Sequence, residues 1–87
     1  MNLERRIAAK IIAALELEDD YDPETIAPET MFFAPEEAGG LELDSLSALE
    51  IVAALSDEFA YDFEQVERDD LISFKTVADF IRREGIA

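Results

Sequence analysis

Histidine, cysteine and tryptophan are absent from the sequence, and cations are scarce: seven Lys/Arg against 22 Asp/Glu. Without His or Cys there is no His/Cys metal site, no Ser-His or Cys-His nucleophile pair, and no disulfide framework. The net charge of −15 at pH 7 excludes nucleic acid as a direct ligand, because a polyanion repels phosphates where a binder needs a basic patch. No apolar run approaches the roughly 20 residues of a membrane helix. Arg5 and Arg6 ahead of an apolar stretch resemble the start of a signal peptide. Lys10 interrupts that stretch, however, Glu16 and Glu18 close it, and no small-residue cleavage pattern follows. The chain is expected to be cytoplasmic.

What the sequence does contain is apolar: 49% of its 87 residues, enough to bury surface against the entropy of ordering and to build one domain over residues 1–87. The basic residues form two end clusters, Arg5, Arg6 and Lys10, then Arg68, Lys75, Arg82 and Arg83. Seventeen of the 22 acids lie between Ile11 and Glu67, where no Lys or Arg occurs. This distribution implies a basic protein partner met by electrostatic steering, and a monomer is expected.

Leu3, Ile7, Ile11 and Leu15 recur at four-residue spacing with Ala8 and Ile12 beside them, which predicts a helix over 3–17. Residues 18–43 carry all three prolines and the Gly39-Gly40 pair and read as a long connection pinned by Ile26, Phe32, Phe33, Leu41 and Leu43. Asp20, Asp22 and Glu24 alternate as in a calcium loop, but Thr25 and Met31 stand where Gly and a bidentate Glu are required, so that match fails. A second helix is predicted over 44–59, opened by Asp44 or Ser45 as N-cap. Ala48, Leu49, Val52, Leu55 and Phe59 form its apolar arc with Ile51 at the edge, while Leu46, Glu50, Ala53 and Asp57 share the opposite side. A short helix fits around 65–71. A last helix is expected over 75–84, with Thr76 and Asp79 at capping-box spacing and Gly85 as a left-handed cap. The fold class is therefore all-α: a small four-helix bundle, three longer helices and one short, with a long loop between the first two.

Leu43-Asp44-Ser45-Leu46 stands at the junction of the long loop and the second helix. Asp44 to Phe59 read DSL-x-x-L-E-I-V-x-x-L-x-x-E-F, Phe63 follows, and Phe74 to Ile81 read F-K-T-V-x-D-F-I. In this context, over essentially the whole chain, the sequence resembles the acyl carrier protein family. The resemblance implies a 4′-phosphopantetheine arm, drawn from coenzyme A, on Ser45. Independently, a helix N-terminus suits a phosphodiester, and a serine with no base beside it needs an outside enzyme to modify it. The module is then a substrate and not an enzyme, with no catalytic residues and no metal site of its own.

The resemblance further implies that a phosphopantetheinyl transferase loads the arm. The arm's thiol then holds acyl intermediates as thioesters, presented to acyl-transferring, synthase or ligase enzymes of fatty-acid, lipid or polyketide-type synthesis. Asp44, Glu50 and Asp57 would make charge contacts with basic docking patches on these enzymes, around Leu46 as apolar anchor and with Ala53 on the same face. The sequence departs from the family in four places. Ala53 replaces a larger apolar residue, Ser47 a frequent acid, and Glu42 a common Gly, and Pro35 to Gly40 lengthen the loop; together these suggest a specialised carrier. A peptidyl or aminoacyl carrier is a competing reading, disfavoured because Asp44 precedes Ser45 where such carriers have Gly or Gly-His. An unmodified acidic interaction domain, with Ser45 as a simple cap, is the other.

Overall fold

A computed structural model describes residues 2–87. Three helices, α1 (Leu3–Ala14), α2 (Ser45–Phe59) and α3 (Phe74–Arg83), carry the apolar stripes, and no strand occurs among the described residues. The all-α bundle expected from the periodicity is what forms. In place of one short helix around 65–71 there are two separate 3₁₀ turns, Phe63–Gln65 and Arg68–Asp70, with extended Val66 between them.

The core joins Ile7, Ala8, Ile11 and Ile12 of α1 to Ile51 and Leu55 of α2 and to Phe74, Val77, Ala78 and Ile81 of α3. Burial of each Ile, Leu, Val or Phe among them is worth about 1.5–3 kcal/mol. The apolar arc of α2 is rotated from its expected position. Ile51 is fully buried and Ala54 joins it, whereas Leu49 is 68% exposed. Contact with α1 on one side and with the turn carrying buried Phe63 on the other selects the Ile51–Leu55 face. The wheel alone cannot choose between two apolar flanks.

Helix α1 ends three residues earlier than its pattern. Glu16 takes a left-handed φ of 57°, and the N–H groups of Glu16 and Leu17 close on the carbonyls of Ala13 and Ile12. That is a Schellman stop with Glu where Gly is usual. Helix α3 likewise stops on Gly85 (φ 70°), with the Gly85 and Ile86 N–H groups donating to Arg82 and Ile81. Its start corrects the expected cap. Ser73 accepts from the Thr76 N–H at 3.2 Å and the Thr76 hydroxyl accepts from the Ser73 N–H at 2.9 Å. Threonine replaces the Glu of the usual box, and Asp79 pairs with Lys75 instead.

The connection between α1 and α2 is held by its backbone. The Phe32 N–H donates to Ile72 and the Lys75 N–H to Pro28, both at 2.8 Å, tying the loop to the lead-in of α3. Buried Phe32 meets Phe74 edge-on at 5.0 Å. Of the five apolar residues expected to pin the loop, Phe32 and Leu41 are buried and Ile26 and Leu43 partly so, but Phe33 is exposed. Asp22, part of the failed calcium pattern, accepts a hydrogen bond from the Glu24 N–H and so shapes a turn. The extra residues 35–40 form a closed bulge around a 3₁₀ turn at Glu36–Ala38, sealed where the Glu42 N–H donates to Ala34.

Candidate functional site

The loop delivers the chain to α2 in extended form, with the Leu43 N–H donating to Phe32 at 2.9 Å. Asp44 is the N-cap: its carboxylate accepts from the Ser47 N–H at 2.9 Å. Hydrogen bonding from the Ser47 backbone, then from its side chain, holds the Asp44 carboxyl below the usual carboxylate range. Between the two caps considered from sequence, the structure thus selects Asp44. Ser45 becomes the first helical residue, exposed and relieved of the capping role.

Ser45 opens onto a cleft of about 490 Å³ walled by Phe33, Leu43, Ala48 and Leu71. Arg68 is its one basic lining residue among the described residues. The long loop supplies Phe33 and Leu43, α2 supplies Ala48, and the 3₁₀ segment supplies Arg68 and Leu71. Phe33 and the turn at 68–71, both distant in sequence, thus meet the loop–α2 junction beside one hydroxyl.

The outer face of α2 runs away from this cleft. Leu46 is 69% exposed, and Glu50, Ala53 and Asp57 are exposed in line with it. Leu49, assigned to the core by its spacing, joins Leu46 on the outside. Asp57 is exposed but receives Lys10 Nζ at 2.8 Å, which lowers its pKa through the hydrogen bond and then the charge of Lys10. Glu50 has no cation within 4.0 Å among the described residues.

A family model described as a phosphopantetheine attachment site matches residues 38–83, a span that contains Ser45, α2 and every cleft-lining residue except Phe33. The chain belongs to this phosphopantetheine-attachment family. The acyl carrier protein of Thermosynechococcus vestitus is 32% identical over 81 residues, covering 93% of this chain and 94% of that protein. No solved structure matches.

A carrier role and a covalently attached 4′-phosphopantetheine follow from membership of the acyl carrier family. The residues present fit such a group. An exposed hydroxyl lies next to an open, mostly apolar cleft, and no side chain must be displaced to reach it. Phe33, Leu71 and Arg68 were not singled out in the sequence as site residues. Phe33 reads as a core anchor there, and only the folded loop turns it outward. Among the described residues no helix is long and apolar enough to cross a membrane.

Proposed function

We propose that Ser45 is the attachment residue and that the chain is an acyl carrier. It is a substrate for a phosphopantetheinyl transferase and then for synthase, acyltransferase or ligase enzymes of fatty-acid, lipid or polyketide-type synthesis. The observation that carries this reading is the division between Asp44 and Ser45: the carboxylate caps α2, and the hydroxyl is left exposed at the cleft mouth. When attached, the arm supplies the thiol that the sequence lacks. The chain's own residues supply a fixed hydroxyl, a cleft and a docking face.

Leu46 and Glu50 are proposed as the centre of that face, with Asp44, Ala53 and Asp57 around them. Leu49 belongs with them by its exposure. The closed bulge at 35–40 lies directly upstream of the site and supports a specialised carrier.

The test is intact mass after incubation with coenzyme A, Mg²⁺ and a broad-specificity phosphopantetheinyl transferase. Gain of one phosphopantetheine by the wild type and none by Ser45→Ala is expected. No gain, or an equal gain in both, sinks the assignment.

A further inference from the structure

With three times as many carboxylates as cations, every Lys and Arg of this chain has acids to choose from. Six of the seven make an ion pair: Arg5 with Glu24, Arg6 with Glu58, Lys10 with Asp57, Lys75 with Asp79, Arg82 with Glu4, and Arg83 with Asp70. Arg68 alone, among the described residues, has no carboxylate within 4.0 Å, although Glu67 and Asp69 flank it. Among the described residues it is also the only cation lining the Ser45 cleft.

Its backbone is fixed. Arg68 opens the 3₁₀ turn, and its carbonyl accepts from the Leu71 N–H at 3.1 Å, placing both residues on the cleft. The far end of the turn is anchored where the Asp70 carbonyl accepts from Thr76 Oγ1 at 3.0 Å and its carboxylate receives Arg83 at 3.1 Å. The one carboxylate residue lining the same cleft, among the described residues, is Asp44, and its side chain is already engaged by the Ser47 N–H.

A phosphodiester on Ser45 would bring one more negative charge into a cleft already lined by Asp44. A guanidinium matches phosphate oxygens in a bidentate fork, and its charge does not titrate away. We propose that Arg68 is the counter-cation of that phosphodiester, turning the arm down into the cleft over Phe33 and Leu71. The proposal rests on attachment at Ser45 as argued above, and it makes Arg68 a positioning residue for the arm.

The experiment uses the full chain in its unmodified and modified forms, the modification confirmed by mass. The ¹⁵N-correlated Arg68 Nε–H resonance is expected to shift on modification, with contacts appearing between pantetheine methyl protons and Phe33 and Leu71. In the modified Arg68→Gln protein the ³¹P resonance should move from its wild-type position and those contacts should be lost. Arg68→Lys should keep part of both effects. Circular dichroism of the unmodified variants checks that the helices are intact.

An Arg68 resonance unmoved by modification, with ³¹P identical in wild type and Arg68→Gln, overturns the proposal and leaves the carrier reading standing. A shift that appears only when the arm is loaded with an acyl group ending in a carboxylate also overturns it, assigning Arg68 to the cargo. Failure of the wild type to gain mass overturns both.

Discussion

Lys10 Nζ of α1 donates to Asp57 Oδ2 of α2 at 2.8 Å, so one of the acids on the outer face of α2 is already neutralised from within the chain. Glu50, on the same face, has no cation within 4.0 Å among the described residues. The two acids should therefore respond differently in docking. Glu50→Lys should lower kcat/KM for modification by the transferase roughly fivefold, the weight of one rim charge of about 1 kcal/mol. Lys10→Gln should raise it by unmasking Asp57. Both effects should shrink as salt rises. Unchanged rates for both variants would place docking away from this face.

Glu42 holds a left-handed φ of 53°, a conformation that costs a residue with a Cβ about 1–2 kcal/mol. Its carboxylate recovers little of this through a 3.3 Å contact with the Glu36 N–H. Glu42→Gly relieves the strain and adds unfolded-state freedom worth about 0.5–1 kcal/mol in the opposite sense. The expected net gain is about 0.5–1 kcal/mol, a rise of roughly 2–6 °C in Tm. Glu42→Ala keeps the strain and loses the contact, so its Tm should fall at or below that of the wild type. Thermal melts of the two variants side by side decide the matter by sign.

Gly40 is required for a different reason. A Cβ there would lie 2.2 Å from the Ala34 carbonyl oxygen, a backbone atom that cannot swing aside. Gly40→Ala should cost about 2–3 kcal/mol, lowering Tm by roughly 10 °C or more. Gly39, with a φ of 86° and open space around it, should tolerate Ala at a cost of about 1–2 kcal/mol. Equal melting temperatures for the two variants would contradict this ranking.

Arg82 reaches Glu4 with both guanidinium nitrogens, at 2.8 and 2.9 Å, joining α3 to α1. The hydrogen bonds from Arg82 hold the Glu4 carboxyl below its ordinary value. A carboxyl whose pKa falls on folding contributes stability that is complete above its unfolded value of about 4.3 and fades as pH drops through the lowered one. The Tm gap between wild type and Glu4→Gln should accordingly be widest near neutral pH and narrow progressively as pH falls below about 4.3. A gap of constant size across that range would show that the ion pair is not its source.

Much of this could be read from residue order, and what escaped has common physical causes. The stripes of α1 and α3 and the Asp44-Ser45-Leu46 junction are local patterns, so α1, α2 and α3 were legible to within a few residues. The stop at Glu16 was not, because a left-handed Glu violates the preference for Gly and is imposed by Leu17 packing against the core. Ser73 gives a weak cap signal because Thr76 stands where the box usually has Glu. Leu49 was assigned inward because amphipathic spacing cannot tell which of two apolar flanks its neighbours will cover. Arg68 carries no local signal at all. Being unpaired is a property of the whole charge arrangement, visible only once six other cations have found their acids.

Placing the cap on Asp44 has one more consequence. The hydrogen bond that starts α2 does not involve the hydroxyl beside it, so a bulky group can be joined to Ser45, or removed, without unmaking the helix. The first turn of α2 therefore need not be rebuilt when a group is joined to that position or cleaved from it, and the helix that carries Leu46 and Glu50 keeps its start throughout.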